Sequence, residues 1–125
     1  MNQEILGALA EGQVIDITTT GRHSGDPRRI EIVFHNIGGR LYVTGMPRKD
    51  RTRAWILNLE ADPHLTFHLK DGVTADLPAT ARIVSDEAER RSVLAEVVKV
   101  WKGQDLETMV RFSPLIEIML DDVAA

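Results

Sequence analysis

The chain has no cysteine among its 125 residues. Disulfide bonds, thiolate metal ligands and a cysteine nucleophile are therefore excluded. Aromatic residues are also few, with one tyrosine, two tryptophans and three phenylalanines. No stretch reaches the roughly 20 apolar residues of a membrane-spanning helix, and the first ten residues lack the basic flank and apolar run of a signal peptide. We therefore expect a cytoplasmic protein without an integral membrane segment, forming a single domain over residues 1–125.

Acidic residues outnumber basic ones, but the two signs are unevenly distributed. The chain has 15 Lys and Arg against 19 Asp and Glu, yet residues 22–53 hold eight of the basic residues and three of the acidic ones. A basic segment on an otherwise acidic protein favours a confined anionic ligand over a long polyanion. The alternative is that these arginines are solvated or paired with distant acids. Nucleic-acid binding is not expected, because aromatics are not interleaved with the basic residues.

Alternating apolar residues and turn residues divide the chain into helices and strands. The predicted elements are helix 2–12, strands 14–20, 29–37 and 41–44, a helix capped by Asp50 or Thr52, strands 64–69 and 73–84, helix 86–102 and strand 115–120. Leu77-Pro78 is expected to interrupt the fifth strand, and residues 104–112 are ambiguous. This order indicates an antiparallel sheet or small barrel with helices attached at its edges.

The most informative segment is the turn after the first strand, with the sequence Gly21-Arg-His-Ser-Gly-Asp-Pro-Arg28. Its two glycines permit close backbone approach and a positive φ, and its proline restricts the exit of the chain. Arg22, Ser24 and Arg28 can then converge on a phosphate, because guanidinium and hydroxyl groups both donate hydrogen bonds to its oxygens. The alternative is an ordinary hairpin turn whose polar residues are solvated.

A second basic segment, Arg48-Lys-Asp-Arg-Thr-Arg53, follows the third strand. In a meander of strands, the loops after the first and third strands lie at the same end of the sheet. The helix that starts near Asp50 would add backbone N–H donors and a partial positive charge there. We therefore predict that Arg48, Lys49 and Arg51 join the first turn in holding a phosphorylated cofactor tail.

Three motifs in order resemble the deazaflavin-dependent nitroreductase family. They are TTTGRHSGDPR at residues 18–28, GGRLYVTG at residues 38–45 and RAWILNLEADPHLTF at residues 53–67. The resemblance implies a mainly β, α+β fold: an antiparallel split β-barrel of about six strands with flanking helices. It also implies that the protein binds the deazaflavin coenzyme F420 and passes its hydride to an apolar electrophile such as a quinone, nitro compound or activated alkene.

The resemblance also implies roles for matching residues. Arg22, His23, Ser24 and Arg28 match positions that contact the phosphate-bearing tail of the cofactor, and His23 stands where the family usually has lysine. Trp55 and Asn58 match the helix motif, in which the tryptophan packs beneath the cofactor. The alternative is that Trp55 is a plain core aromatic, since large aromatic side chains are mostly buried. The family's Gly-rich, Lys-containing loop after the third strand is replaced here by a different sequence at residues 45–51. The tyrosines that line the substrate side in nitroreducing members have no match, so nitroreduction itself is not implied.

Two other functions remain open on the same fold. One is a non-catalytic binder of a fatty acid or other apolar ligand, with the ligand's carboxylate on the arginines. The other is a flavin mononucleotide (FMN) protein, which needs fewer phosphate contacts. We expect a small-molecule substrate in the enzymatic case and a homodimer in solution.

The sequence does not predict a metal site or an acid–base catalyst. His64 and His68 lie on one face of a strand, but a spacing of four residues separates them by about 13 Å, which is too far for one ion. His35 lies on another strand, and no carboxylate completes a ligand set. Glu31 and Asp76 are potential proton donors, but the sequence pairs neither with a base, so neither is assigned a catalytic role.

Overall fold

The computed structural model describes residues 3–47 and 53–121. The elements, in chain order, are α1 (Gln3–Ala10), β1 (Val14–Thr20), β2 (Pro27–Ile37), β3 (Arg40–Thr44), α2 (Ala54–Ala61), β4 (His64–Leu69), β5 (Ala75–Ile83), α3 (Glu87–Val100), α4 (Leu106–Phe112) and β6 (Leu115–Leu120). The strands form a closed antiparallel barrel in the order β1-β2-β3-β6-β5-β4. The predicted fold class is thus confirmed. Among the described helices, none has the length and apolarity needed to cross a bilayer.

The interior of the barrel is filled by alternate residues of each strand. In β1, Ile15 and Ile17 are buried while Asp16 between them is half-buried. Phe34 of β2 and Phe67 of β4 meet edge to face inside, with ring centroids 5.2 Å apart, a geometry that aromatic pairs favour. This alternation explains why local patterning was sufficient to predict the strands.

Two helices close opposite ends of the barrel. Leu9 of α1 joins the interior core near the start of β1, and the Leu9 carbonyl accepts a 2.7 Å hydrogen bond from Asn36. Trp55 and Leu59 of α2 join the same core at the other end. The turn after β1 therefore lies at the end that α2 closes.

The other two helices, α3 and α4, cover part of the outer surface with a second apolar cluster. Its buried members are Tyr42, Val84, Val93, Leu94, Val97, Met109, Val110 and Leu115. Arg90 of α3 locks the helices together, because its guanidinium donates hydrogen bonds of 2.6–3.3 Å to the carbonyls of Val84, Met109, Val110 and Ser113. Carbonyls at the end of a helix lack helical partners, so this arginine satisfies the end of α4.

Pro78 does not interrupt β5, so that prediction was wrong. Pro78 lies opposite Thr66 of β4, and its carbonyl accepts a 2.9 Å hydrogen bond from the Asp121 N–H on the opposite side, toward β6. The amide hydrogen that proline lacks would also have pointed toward β6. Because paired residues of β5 and β6 begin only at Ala79 and Leu120, the strand tolerates proline at this position.

The helical segments also refine the predictions. The ambiguous residues 104–112 contain α4, whose N-cap Asp105 accepts a hydrogen bond from the Thr108 N–H. At the start of α3, Asp86 accepts from the Glu89 N–H at 2.9 Å, as the capping spacing predicts. The side chain of Glu89 does not complete a capping box, because it binds Arg82 of β5 instead.

His35 is a buried imidazole beneath the end of α3. Its ring packs edge to face on Trp101 with centroids 5.2 Å apart, and Tyr42 is its partner in β3. Within the described residues, its Nε2 atom has no hydrogen-bond partner. Burial lowers the pKa of His35 from the usual 6.5, because a desolvated imidazole resists gaining charge.

We expect His35 to make the fold less stable in mild acid. The unfolded chain takes up this proton at higher pH than the folded chain, so the free energy of unfolding should fall as the pH drops below about 6.5. Urea unfolding of wild type and His35→Leu at a series of pH values measures the difference. His64→Leu is the matched control, since the His64 side chain is 74% exposed. If the free energy of unfolding of His35→Leu fell with pH as much as that of the wild type, the prediction would be contradicted.

Candidate anion-binding site

The turn between β1 and β2 is closed by its own backbone. The Asp26 carbonyl accepts a 2.8 Å hydrogen bond from the Gly21 N–H, and the Gly21 carbonyl accepts one of 2.8 Å from the Gly25 N–H. Gly25 has a φ of 75°, which a side chain would disfavour. A Cβ atom on Gly21 would lie 2.9 Å from Ser24 Oγ and 3.1 Å from the Asp26 carbonyl oxygen. The turn therefore favours glycine at residue 25, and a side chain at residue 21 would displace Ser24.

Side chains of this turn present donors to solvent. Arg22, His23, Ser24 and Arg28 are all exposed. Ser24 Oγ accepts a 3.1 Å hydrogen bond from the Asp26 N–H. Because its lone pair is used in this way, the hydroxyl hydrogen points elsewhere and suits an anionic acceptor.

Asn58 of α2 connects the turn to the barrel. Its Oδ1 atom accepts hydrogen bonds from the Arg22 backbone N–H at 3.1 Å and from Arg22 Nη1 at 3.4 Å. Its Nδ2 atom donates to Thr19 Oγ1 of β1 at 3.1 Å. Asn58 is 4% exposed, so a single buried amide holds the backbone of Arg22 and orients its guanidinium.

Replacing Asn58 should therefore weaken the fold and loosen the turn. We expect Asn58→Ala to lower the free energy of unfolding by about 1–2 kcal/mol, because the Arg22 N–H and the Thr19 hydroxyl lose their shared partner. Urea denaturation followed by circular dichroism measures the change. Glu60→Ala, at an exposed position of the same helix, should leave the midpoint almost unchanged. A loss of the same size in both variants would argue against the role of this amide.

A cavity of about 420 Å³ opens beside the turn. Its lining residues are Gly21, Arg22, His23, Ser24, Arg28, Arg29, Ile30, Ala54, Trp55 and Asn58. These residues include three arginines and no carboxylate. The guanidinium of Arg29 is paired with Asp16 of β1 at 2.9 Å, which leaves Arg22 and Arg28 as the cations of the cavity. Ile30, Ala54 and the nearly buried Trp55 supply an apolar wall. Such a cavity suits a ligand with an anionic group next to an apolar one.

The amino end of α2 faces this cavity. Arg53 occupies the N-cap position, and its side chain makes no capping hydrogen bond. Its guanidinium instead donates to the Met46 carbonyl, and it lies so close to Gly45 that a Cβ there would be 3.2 Å from it. The first N–H groups of a helix lack helical acceptors and attract anions, so Ala54 and Trp55 add main-chain donors.

The structure thus brings Arg22, His23, Ser24, Arg28 and Trp55 around one cavity. The remaining predicted residues, Arg48, Lys49 and Arg51, and the predicted helix caps Asp50 and Thr52 lie outside the described residues. That the turn residues contact a phosphate stays a prediction.

Two further residues of the cavity had little signal in the sequence. Arg29 follows Arg28 on the strand that lines the opening, and its pairing with Asp16 depends on the register of β1 and β2. Asn58 matched a family motif, but its bonds to Thr19 and Arg22 depend on long-range packing.

The histidines and carboxylates singled out in the sequence bind other side chains. His64 Nδ1 lies 3.0 Å from Asp62 Oδ1, and Glu31 pairs with Lys70. The sequence paired Asp76 with no base, but the structure places His68 Nδ1 2.7 Å from Asp76 Oδ1. Within residues 3–47 and 53–121, no three metal-ligating side chains are grouped as a metal site would require.

Comparison with known proteins identifies the sequence family. Residues 1–116 match the model of a family described as F420H2-dependent quinone reductase. The match covers the first five strands, the turn after β1 and all four helices. It stops within β6.

Solved structures share the fold at low sequence identity. A conserved hypothetical protein of Mycobacterium tuberculosis superposes with a TM-score of 0.75 at 20% identity, over 97% of this chain and 81% of that chain. A protein described as an F420H2-dependent reductase superposes with a TM-score of 0.62 at 24% identity, over 84% and 92% of the two chains. A chain described as a domain-swapped dimer gives a TM-score of 0.64 at 20% identity, over 84% and 78%.

Proposed function

The chain belongs to the family of F420H2-dependent quinone reductases, and on that premise we propose that the cavity beside the Gly21–Arg28 turn holds the phosphate-bearing tail of coenzyme F420. The protein is an oxidoreductase that uses this cofactor. The observation that carries the proposal is the convergence of Arg22 and Arg28 on a cavity whose lining has no carboxylate. Arg29 also lines the cavity, but its guanidinium is paired with Asp16.

The residues present fit an anionic tail. Guanidinium groups bind phosphate oxygens with paired N–H donors, and one N–H of Arg22 is already oriented by Asn58. The amino end of α2 adds a partial positive charge.

The protein's side chains bind and position the cofactor, and the cofactor supplies the chemistry. When bound in its reduced form, F420 supplies a hydride to the substrate. The residues of the cavity hold the tail, and Trp55 and Ile30 provide an apolar wall that excludes water from the neighbouring space. No side-chain nucleophile is needed for such a transfer, since the cofactor carries the reacting atoms.

We propose a quinone as the substrate class. An apolar electrophile suits a site built from aliphatic and aromatic side chains next to a cofactor. The proposal rests on the family and on the apolar wall of the cavity. Nitro compounds and activated alkenes are the other acceptors to compare.

Titration of the purified protein with F420, followed by fluorescence, tests the cofactor. Parallel titrations with FMN and with a medium-chain fatty acid test the two alternatives predicted from the sequence. Oxidation of reduced F420 is then followed with menadione, a nitroaromatic compound and an enone as acceptors. Saturable F420 binding with menadione-dependent oxidation supports the proposal. Binding of only FMN or only the fatty acid would overturn it in favour of that alternative.

The expected homodimer and cytoplasmic location stay predictions. One similar chain is described as a domain-swapped dimer, which supports testing self-association here. Size-exclusion chromatography with light scattering distinguishes a monomer from a dimer. A mass of one chain across the micromolar range would contradict the dimer.

A further inference from the structure

A hydroxyl, an imidazole and a carboxylate form a hydrogen-bonded chain on the outside of the barrel. Thr18 Oγ1 of β1 lies 2.6 Å from His68 Nε2 of β4. On the other side of the ring, His68 Nδ1 lies 2.7 Å from Asp76 Oδ1 of β5. None of the three residues lines the cavity described above.

Strand register explains why these side chains meet. His68 lies opposite Asp76 in the β4–β5 pairing and opposite Asp16 in the β1–β4 pairing, two residues from Thr18. Their strand neighbours Ile17 and Phe67 point into the barrel and are fully buried. Alternation along each strand therefore directs all three polar side chains outward.

The proton positions follow from the hydrogen bonds. The bond from His68 lowers the pKa of Asp76 below its usual 3.8, so this carboxylate is ionised at neutral pH and accepts from Nδ1–H. In the neutral ring the proton lies on Nδ1, and Nε2 is then an acceptor. The Thr18 hydroxyl therefore donates to Nε2, which is the orientation in which an imidazole acts as a general base toward a hydroxyl nucleophile.

The surrounding face is open to solvent and carries charges of both signs. The side chain of Asp76 is 73% exposed, whereas His68 is 7% exposed and thus held in place. Arg29 lies directly opposite Thr18 in the β1–β2 pairing, and its side chain is 54% exposed. Its guanidinium is paired with Asp16 at 2.9 Å on the same face as the hydroxyl.

We propose that Thr18 is the nucleophile of a second reactive site, which takes an acyl group from small activated esters. Thr18 Oγ1 forms a bond to the acyl carbon while its proton passes to His68 Nε2. The bond between that carbon and the leaving oxygen breaks, and the leaving group takes the proton as an alcohol. Water, with His68 again as base, then releases the carboxylic acid and restores the hydroxyl.

Small acyl donors are the matching class because the site is a strand face. Such a surface offers few contacts to a bulky acyl chain, so reactivity must come from a good leaving group. The site does not depend on F420, and its failure would leave the proposed reductase function untouched.

The test is acylation by p-nitrophenyl acetate. We expect a burst of nitrophenolate close to one equivalent per chain, with peptide mass spectrometry placing one acetyl group on Thr18. Thr18→Val should abolish this label, and His68→Gln should slow the burst by at least about tenfold, since a general base contributes at least that much. Thr18→Ser should retain it. Thr66→Val, the cross-strand neighbour, is the control and should label like wild type.

Circular dichroism and urea unfolding of each variant separate reactivity from folding. A merely structural hydrogen bond would change the unfolding midpoint in Thr18→Val, but it would give no acetyl group on Thr18 in the wild type. Wild-type protein without that label, or equal burst rates in wild type and a folded His68→Gln, overturns the proposal.

Discussion

Arg90→Met should lower the free energy of unfolding by about 2–4 kcal/mol, because several main-chain carbonyls lose their donor at once. Methionine keeps an unbranched apolar stem but has no N–H donor. It cannot donate to the carbonyls of Val84, Met109, Val110 and Ser113, which the guanidinium now holds. Urea unfolding followed by tryptophan fluorescence measures the loss, because Trp101 ends α3.

Arg91→Met is the matched control for this prediction. Arg91 is the next residue of α3, but its guanidinium pairs with the exposed carboxylates of Glu87 and Glu107. Exposed ion pairs add little to stability because water and salt screen them. We therefore expect the control to unfold near the wild-type midpoint. If both variants lost the same free energy of unfolding, the hydrogen bonds of Arg90 to the carbonyls would not explain its effect, and the prediction would be contradicted.

The second large effect is on cofactor affinity. We expect Arg22→Ala and Arg28→Ala each to weaken F420 binding by about 1.5–3 kcal/mol, or roughly 10- to 150-fold, the range for hydrogen bonds to charged groups. Arg22 is oriented by Asn58, and Arg28 lines the same cavity from β2. Fluorescence titration with F420 at constant ionic strength measures the change.

Arg111→Ala controls for the general loss of positive charge. Arg111 is exposed on α4, on the helix pair that covers the outer surface, and its guanidinium stacks on Phe112 with 5.7 Å to the ring centroid. It should bind F420 like wild type. Unchanged affinity in both cavity variants would show that the phosphate tail does not bind in this cavity. Lower affinity in all three variants would indicate a nonspecific electrostatic effect.

Local patterns were sufficient for most of the barrel. Alternation in β1 and the glycine-bounded turn after it depend on residues close in sequence, and both were readable. The sequence did not predict that β5 continues through Pro78, because this continuity depends on where β6 stops pairing with β5. Residues 104–112 were ambiguous for a similar reason, since Arg90, 20 residues before Val110, satisfies the carbonyls at the end of α4.

In the candidate site, too, the features that depend on neighbouring residues were predicted and those that depend on long-range contacts were not. The turn residues were predicted because they are contiguous and chemically distinctive. The amide of Asn58 was readable only as part of a motif, since its partner Thr19 is 39 residues away. The pairing of His68 with Asp76 follows from one hairpin, but its link to Thr18 needs the closure of β1 on β4, which spans 50 residues.

The strand order also sets when folding can finish. β6 lies between β3 and β5. Each of these two strands therefore lacks a partner on one side until Leu115–Leu120 is present. During synthesis, the chain must therefore expose two strand edges until residue 120 has left the ribosome. Any slowing of synthesis before this point prolongs an aggregation-prone intermediate, and pairing over such sequence distances is itself slow.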